Sequence, residues 1–360
     1  MKIVLAASGT RGDVQPALAL AVALIQAGHE LRMIGPPENK DWVEGYGCPF
    51  AALGSNFEEL VQDFGTRQDL GTLIRFGGYL MRETEAQLAG LASHIAGADL
   101  AIGMSLVFGL RTVAEHLGLP TLFLATAPQL IPSTRHPTIA TQNQNLPRWI
   151  NRLDWFGSDT FGRLTYMRVI NRERRRLGLA AYHGRPTRHL LEPLTFLISD
   201  EVLAPAPEDA DLVCRQVGHL PLRQTGELSA EAEDFLAAGP PPVYIGFGSM
   251  PEEGEKTSRL LLEAARLSGQ RLVLGRGWAH LEDLDPGKDH LVVGNVPHAK
   301  LFPRLAAVVH HGGAGTTATA ARAGAPQIIV PHFFDQFYWA ERIFRVGLGP
   351  KAMPRPKLTA

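Results

Sequence analysis

The chain has 360 residues, of which 45% are hydrophobic and 20% charged, and its formal net charge is −1. This length suggests about two domains, the composition is that of a globular protein, and the balanced charge argues against a nucleic-acid partner. Cys48 and Cys214 lie too far apart in the sequence for a metal or redox motif, and no apolar run approaches the ~20 residues of a membrane span, so a cytoplasmic location is expected.

The first half of the chain alternates apolar runs with helical stretches, a pattern typical of a doubly wound parallel sheet. A first strand at Lys2–Ala7 is followed by the loop SGTRGDVQP and a helix that we expect to begin near Pro16 and to stop at Gly28. Further strands are predicted at Glu30–Ile34, Phe50–Leu53, Leu100–Met104, Pro120–Ala125 and Thr195–Ser199, with helices near Leu80–Ala96 and Leu106–Leu117.

The composition changes between residues 205 and 242, where PAPEDAD and GPPP flank a short acidic helix, Ser229–Ala238. Such stretches are typical of an interdomain linker. A second α/β series follows, with strands predicted at Val243–Phe247, Arg271–Leu274, Leu291–Val293, Ala306–Val309 and Gln327–Val330. The predicted organisation is a domain over 1–204, a linker over 205–242 and a domain over 243–360.

The motif HHGGAGTT, His310–Thr317, comes directly after one of these strands and opens a helix. Its glycines let the backbone approach a ligand closely, and the N–H groups at a helix start favour an anion. His311 adds a donor that can be cationic near neutral pH. The motif has no P-loop lysine and does not fit G-x-G-x-x-G, so it predicts a diphosphate site of another kind, with a ligand-free glycine turn as the alternative. Asp335 and Gln336, after the next strand, are placed to reach hydroxyls attached to that diphosphate.

The N-terminal loop carries Thr10, Arg11, Gly12 and Asp13 at the end of the first strand. Ligands of open parallel sheets bind at the carboxyl ends of strands. We expect Asp13 just before the helix, where the helix dipole favours its ionised form. It is either a functional carboxylate or an ordinary N-cap.

Three segments carry a resemblance to bacterial glycosyltransferases of the GT-B fold. They are SGTRGDVQPALALAVALIQAGH, PPPVYIGFGSM and LFPRLAAVVHHGGAGTTATAARAGAPQIIVPHFFDQFYWAERI. The chain is similar to the sterol glucosyltransferase-like enzymes and to the glycopeptide and polyketide antibiotic glycosyltransferases, least so from Glu58 to Leu190. The resemblance implies two Rossmann-like, doubly wound α/β domains facing a central cleft, the first binding the acceptor and the second the donor.

The resemblance also implies a role for particular residues. Asp13 matches the catalytic base, with Thr10, Arg11 and Gly12 as loop contacts. The donor residues matched are His311 and the amides of Gly313, Ala314, Gly315, Thr316 and Thr317 for the diphosphate, Ser249 for a second phosphate contact, Asp335 and Gln336 for the sugar, and the backbone of Val296 for the base. One departure is Asn295, where plant relatives stack the base on a tryptophan; Trp278 is either a substitute platform or a core residue.

The implied reaction is an inverting transfer of a hexose, with glucose favoured, from a UDP- or dTDP-sugar to a hydroxyl of a sterol, lipid or polyketide-like acceptor. No metal and no cofactor are expected. Leu70–Leu80 and Phe123–Pro132 either line a lipophilic pocket or pack as ordinary core. The basic run NRERRR, residues 171–176, either contacts anionic lipid at the inner membrane face or is a solvated helix face. A monomer and a homodimer fit equally well.

Two other functions remain open at this level: a catalytically silent nucleotide-sugar-binding partner protein, and a sugar-nucleotide epimerase of the same fold. The presence of Asp13, His311, Asp335 and Gln336 argues against the silent partner, and no epimerase motif is found. The chain ends at KLTA, where such enzymes usually begin a helix that crosses back to the first domain, so the sequence leaves open whether that last helix is missing.

Overall fold

The structure is a computed structural model that describes residues 1–55, 70–223, 226–247, 260, 263–264, 267–276, 289–294 and 296–353. The expected contact at Ser249, the base-platform positions Asn295 and Trp278, and the KLTA end all lie outside the described residues. The chain forms two compact units that divide between Leu222 and Arg223, with residues 142–144 grouped with the second.

The first unit is built on a seven-stranded sheet in the order β3-β2-β1-β4-β5-β6-β7, and every neighbouring pair is parallel. Its strands are β1 Lys2–Ser8, β2 Glu30–Gly35, β3 Phe50–Ala52, β4 Leu100–Ser105, β5 Thr121–Ala125, β6 Thr195–Leu197 and β7 Cys214–Gln216. Its helices are α1 Arg11–Gln26, α2 Lys40–Glu44, α3 Leu70–Ile95, α4 Leu110–His116, α5 Arg148–Leu164, α6 Tyr166–Arg176 and α7 Pro186–Leu191, with 3-10 turns at Pro37–Asn39 and Pro128–Leu130.

Helices cover both faces of this sheet, which explains why β1 is an unbroken apolar run. On one face, Leu18 of α1 packs with Leu5 and Met33. On the other face, Leu91 and Ile95 of α3 join a second core.

The strand order reverses between β1 and β4, because the chain runs outward from β1 to β3 and then crosses back. Ser8 pairs with Ser105 at the carboxyl ends of these two strands. The loops that follow them therefore meet at a topological switch point, where doubly wound sheets bind ligands.

The second unit has a five-stranded parallel sheet in the order β10-β9-β8-β11-β12. Its described strands and helices are β8 Val243–Gly246, β9 Leu272–Gly275, β10 His290–Val293, β11 Ala307–His310, β12 Gln327–Ile329, α8 Ala230–Ala237, α9 His298–Leu301, α10 Ala314–Arg322 and α11 Gln336–Arg345, with a 3-10 turn at Phe302–Arg304. Here the order reverses between β8 and β11, where Gly246 pairs with His310.

The expected fold class, two doubly wound parallel α/β domains, is confirmed. Within the segment that we interpreted as a linker, residues 205–242, the structure places β7 in the first sheet, where Cys214 pairs with Thr195. The short acidic helix forms as α8, and the Ser229 hydroxyl accepts a hydrogen bond from the Ala232 amide at its N-cap. Within the described ranges, no helix combines the length and hydropathy of a membrane span.

Candidate active site

Asp13 lies inside the first turn of α1 rather than before it. The helix begins at Arg11 with Thr10 as its N-cap, so the expected helix start near Pro16 is wrong by about a turn. The shift has a local cause, because the Asp13 carboxylate reaches back and caps the helix. Its Oδ2 accepts hydrogen bonds from the Thr10 amide and the Thr10 hydroxyl, both at 2.8 Å.

A second strand end holds the other oxygen of the same carboxylate. The Ser105 hydroxyl, at the end of β4, donates to Asp13 Oδ1 at 2.8 Å. Ser105 has a φ of 58°, a left-handed conformation that is uncommon for residues other than glycine. The side chains after β1 and β4 are therefore joined at the switch point.

The pKa of Asp13 is raised above its ordinary value of 3.8. Burial is the largest cause because it disfavours the charged form, and the hydrogen bonds from Ser105 and Thr10 oppose it. Asp13 is thus a half-buried carboxylate whose basicity exceeds that of an exposed one.

The other loop residues are exposed at the helix start. Arg11 is stacked over the ring of Trp42, with 4.5 Å from its guanidinium carbon to the ring centroid. Gly12 and Thr10 are exposed. Gly9 has a φ of 145°, and a Cβ atom there would lie 2.5 Å from Asp13 Oδ2, so the carboxylate requires glycine at this position.

A fully buried carboxylate, Glu83, holds the backbone at the start of the Asp13 loop. Glu83 of α3 is 0% exposed, and its oxygens accept hydrogen bonds from the Ser8 hydroxyl at 3.4 Å, the Ser55 amide at 2.8 Å and the Gln87 amide group at 3.0 Å. Glycine at position 54 makes room, since a Cβ there would come within 2.4 Å of Glu83 Oε1. Glu83 therefore links the ends of β1 and β3.

Gln87, one helical turn further along α3, extends the same network to the end of β4. Its Nε2 donates to the carbonyl of Leu106 at 2.8 Å, and its Oε1 accepts from the Gly109 amide at 3.1 Å. The Leu106 amide donates to the Ser8 carbonyl at 3.1 Å. Glu83 and Gln87, which we call the α3 hub, thus fix the loops that carry Asp13 and Ser105.

In the second unit, the glycine loop turns at Gly312, whose φ is 95°. A Cβ atom at Gly312 would lie 2.8 Å from Ile329 Cγ2 and 3.1 Å from the carbonyl oxygen of Gln336. The absence of a side chain lets the loop pack directly against the start of α11. This brings the predicted diphosphate motif beside the acid–amide pair.

His310 holds this turn from inside the core. It is 0% exposed; its Nδ1 accepts from the Gly312 amide at 3.1 Å, and its Nε2 lies 2.9 Å from Gln327 Oε1. An accepting Nδ1 leaves the ring proton on Nε2, which donates to Gln327. Burial lowers the pKa of His310 to about 3.

His311 differs from the expected cation. Burial lowers its pKa to about 4, so the ring is neutral at neutral pH. Its Nδ1 is buried and has no hydrogen-bond partner within the described part of the chain. Its Nε2 lies against the loop, because a Cβ atom at Gly313 would be 2.6 Å from it.

Helix α10 begins at Ala314 with Gly313 as its N-cap, and no side chain of the described residues caps it. Ala314, Gly315 and Thr316 are partly exposed in its first turn. Thr317 differs from the expectation that it faces a ligand: it is fully buried, and both its amide and its hydroxyl donate to the Gly313 carbonyl, at 3.0 and 2.9 Å. Thr317 supports the loop instead of presenting donors.

The acid–amide pair begins α11, and each side chain is fixed by the protein. The Trp339 indole donates to Asp335 Oδ2 at 2.9 Å. Gln336 is 5% exposed, and its Oε1 accepts from the amides of His332 at 2.7 Å and Phe333 at 3.2 Å. Gln336 therefore uses its carbonyl oxygen within the protein.

Val296, the expected base contact, lies in the connection between β10 and α9 and packs against the core that includes Val293 and Leu301. The predicted site residues that the structure describes thus fall into two groups. Asp13 with its loop belongs to the first unit, and Val296, the glycine loop and the acid–amide pair belong to the second.

The two apolar segments behave differently. Phe123–Pro132 is mostly core, with Phe123 and Ile131 buried, so it packs in the way the simpler alternative predicted. Leu70–Leu80 forms the start of α3, where Ile74 is exposed.

Comparisons with known proteins agree with this arrangement. Residues 3–133 match the glycosyltransferase family 28 N-terminal domain, and residues 271–360 match the erythromycin biosynthesis protein CIII-like C-terminal domain. The vancomycin aglycone glucosyltransferase of Amycolatopsis orientalis is 35% identical over 353 residues, which cover 97% of this chain and 85% of that relative. The chain belongs to the GT-B glycosyltransferases. A sterol 3-beta-glucosyltransferase of Arabidopsis thaliana is 34% identical over 391 residues, covering all of this chain and 61% of the plant protein.

Solved structures share the fold of this glycosyltransferase. The kitacinnamycin glycosyltransferase superposes with a TM-score of 0.74 at 17% identity, covering 99% of this chain and 87% of that one. The glycosyltransferase VinC, solved in complex with dTDP, superposes with a TM-score of 0.69 at 21% identity, covering 100% and 88%.

Sequence reasoning missed four residues that shape the two halves of this glycosyltransferase. They are Ser105, Glu83, Gln87 and His310. Of these, only His310 could have been found from the sequence, since it is next to His311 in the motif. The other three bond to partners on other elements, from 19 residues away for Gln87–Leu106 to 92 residues away for Asp13–Ser105.

Proposed function

We propose that this glycosyltransferase moves a hexose, with glucose favoured, from a UDP- or dTDP-sugar to a hydroxyl group of a lipophilic small molecule, with inversion at the anomeric carbon. The observation that carries the proposal is the Asp13 carboxylate, held at the switch point with a raised pKa. The names of the relatives, a glycopeptide aglycone glucosyltransferase and a sterol glucosyltransferase, support glucose and an acceptor of this class.

The proposed base atom is Asp13 Oδ1. A carboxylate oxygen can accept about two hydrogen bonds. Within the described part of the chain, Oδ2 accepts two from Thr10, whereas Oδ1 accepts one from Ser105 and keeps a position for the acceptor hydroxyl. As the acceptor oxygen bonds to the sugar C1, its proton passes to Oδ1, and the bond from C1 to the diphosphate oxygen breaks. The raised pKa makes this general-base step more favourable.

The donor diphosphate is proposed to sit at the glycine loop and the start of α10. Nδ1 of His311 is buried without a partner among the described residues. Placing the ring proton there would bury an unpaired donor, which is more costly than burying an unpaired acceptor. We therefore assign the proton to Nε2, which donates to a phosphate oxygen alongside the first-turn amides of Ala314, Gly315 and Thr316. Asp335 and the NH₂ group of Gln336 bind sugar hydroxyls, and Val296 contacts the base.

The first experiment is a mass-spectrometric screen of the purified protein with UDP- and dTDP-glucose against sterol, polyketide and flavonoid acceptors. A product heavier by one hexosyl group is expected, and the anomeric coupling in its proton NMR spectrum should show the β configuration from an α-linked donor. Formation of free nucleoside diphosphate without acceptor would also show donor turnover. A protein that binds neither donor would contradict the proposal.

Asp13→Asn tests the base directly. The amide keeps the shape of the side chain and loses the proton-accepting oxygen pair, so turnover should fall by roughly 10²–10⁴ while donor affinity stays nearly unchanged. Turnover and calorimetric donor binding measure the two effects. Asp41→Asn, at an exposed position in α2, is the matched control. Turnover of Asp13→Asn at the level of the unchanged protein would remove Asp13 from this role.

A further inference from the structure

Helix α5 exposes an apolar stripe on the surface of the first unit. Trp149, Leu153, Phe156 and Leu164 have 65, 57, 69 and 52% of their surface exposed. Their spacing places them on one side of the helix. Isolated exposed apolar residues are ordinary, but a row of four along one helix, two of them aromatic, is typical of an interaction surface.

The orientation of α5 is fixed by its opposite side. There, the Trp155 indole donates to the His136 carbonyl at 3.1 Å, and Asp159 accepts from Arg185 at 2.7 Å. Asn151 is buried and donates to the Thr134 carbonyl at 2.9 Å. The helix therefore cannot turn its apolar stripe inward without breaking buried polar contacts.

Three arginines lie beside the stripe. Arg148, Arg152 and Arg163 are exposed, and none forms a salt bridge within the described ranges. The acidic residues of the helix point elsewhere: Asp154 accepts from the Thr138 amide and the Thr141 hydroxyl, and Asp159 is buried. The exposed side of α5 is thus apolar and cationic, with no carboxylate.

The exposed apolar surface continues onto the start of α3. The rings of Phe76 and Phe161 stack with centroids 6.3 Å apart, which joins the two helices. One helical turn before Phe76, on the same side of the helix, Leu73 is 48% exposed. The surface therefore extends beyond a single helix.

We propose that the α5 face, defined by the apolar stripe and its three arginines, docks on an anionic lipid bilayer with the helix lying in the plane of the membrane surface. Tryptophan, phenylalanine and leucine side chains enter the boundary between headgroups and acyl chains, and the adjacent guanidinium groups bind lipid phosphates. A second copy of this chain fits less well. A self-complementary contact would bring the arginines of both copies together without an acid to pair them.

The basic run 171–176, for which the sequence left lipid contact and a solvated helix face as alternatives, is less suited to binding anionic lipid than α5. Arg174 is buried and forms two hydrogen bonds to Glu115, at 2.7 and 2.9 Å. Arg176 pairs with Glu173, and Arg172 with Glu85. Three of its four arginines are thus paired with carboxylates of the protein. Among the described residues, only Arg175 of this run is exposed without a salt bridge, whereas α5 presents three such arginines on one surface. This inference does not depend on the proposed reaction.

The test is flotation of the full chain with vesicles of phosphatidylcholine alone or mixed with phosphatidylglycerol. Binding is expected for the mixed vesicles and at least tenfold weaker for the neutral ones. The double changes Trp149→Ser with Phe156→Ser, and Arg152→Glu with Arg163→Glu, should each weaken binding by about 10- to 100-fold. Val202→Ser, which alters a side chain that is 81% exposed, and Arg215→Glu, on exposed β7 surface, are the matched controls and should bind normally.

Circular dichroism confirms that each variant is folded, and sedimentation analysis gives the oligomeric state without vesicles. Failure of the unchanged protein to bind mixed vesicles would overturn the proposal, as would binding that the α5 changes leave intact. A dimer that dissociates in the α5 variants, with no vesicle binding, would assign the face to a second copy instead.

Discussion

At the scale of single residues, the basicity of Asp13 is set by opposed effects: burial raises its pKa, and the hydrogen bonds from Ser105 and Thr10 lower it. Ser105→Ala removes a donor to the charged form, so the pKa of Asp13 should rise further. The acid limb of kcat/KM against pH should then move to higher pH, because the base is protonated over a wider range. A pH–rate profile measures this, with Ser93→Ala, an exposed serine of α3, as control. A limb that stays in place or moves to lower pH would show that Ser105 does not tune Asp13.

Gly313 is a second position where one added carbon atom should change ligand binding. In Gly313→Ala, the new Cβ would lie 2.6 Å from His311 Nε2 and displace the ring. Losing a hydrogen bond to a charged phosphate should weaken UDP and dTDP binding by roughly 10- to 100-fold. Isothermal calorimetry gives the affinity. Gly157→Ala, where a Cβ meets nothing within 4 Å, controls for the substitution itself, and equal affinities for both variants would refute the assigned role of the ring.

At the scale of elements, α3 acts as the support of the Asp13 loop through the α3 hub. Gln87→Leu keeps the volume of the side chain but leaves the Leu106 carbonyl and the Gly109 amide without their partner. One buried and one partly buried group without a partner should lower the free energy of unfolding by about 2–4 kcal/mol. Because Leu106 follows Ser105, turnover should also fall while donor affinity is retained. Urea unfolding and steady-state kinetics test both effects against Gln26→Leu at the exposed end of α1. A variant with reduced stability and full turnover would limit the hub to a structural role.

Elements were predictable from sequence where apolar runs are bounded by glycine or proline, as for β1, β8 and β11. The start of α1 was not, because Asp13 caps it from within the first turn, a contact that depends on the left-handed freedom of Gly9. The glycine loop and Asp13 stood out by their motifs, and their roles in binding diphosphate and accepting a proton stay predictions. The α3 hub could not be predicted from the sequence, since most of its hydrogen bonds join residues that only the sheet order brings together.

At the scale of the whole molecule, the second unit contains one buried and two half-buried histidines that are neutral at neutral pH. The pKa values of His298, His310 and His311 are lowered by burial to about 4, 3 and 4, below the ordinary 6.5. In the unfolded chain these rings take up protons as the pH falls below about 6.5, whereas the folded rings stay neutral until much lower pH. Their stabilising contribution is therefore complete above that pH and is lost as the pH falls toward 4 and then 3.

Each such histidine contributes up to about 1.4 kcal/mol per pH unit to the loss of stability in that window. His298→Phe removes one titrating group and keeps an aromatic ring against Phe302, whose centroid lies 4.5 Å away. Its unfolding free energy should therefore depend less steeply on pH than that of the unchanged protein. Hydrogen exchange of peptides from the second unit, followed in urea at several pH values, isolates this unit from the titration of Asp13 in the first. Phe344→Leu, a change at an aromatic side chain of the same unit that is 44% exposed and does not titrate, should keep the full slope. If His298→Phe keeps it too, His298 is not one of the groups whose protonation on unfolding makes this domain acid-sensitive.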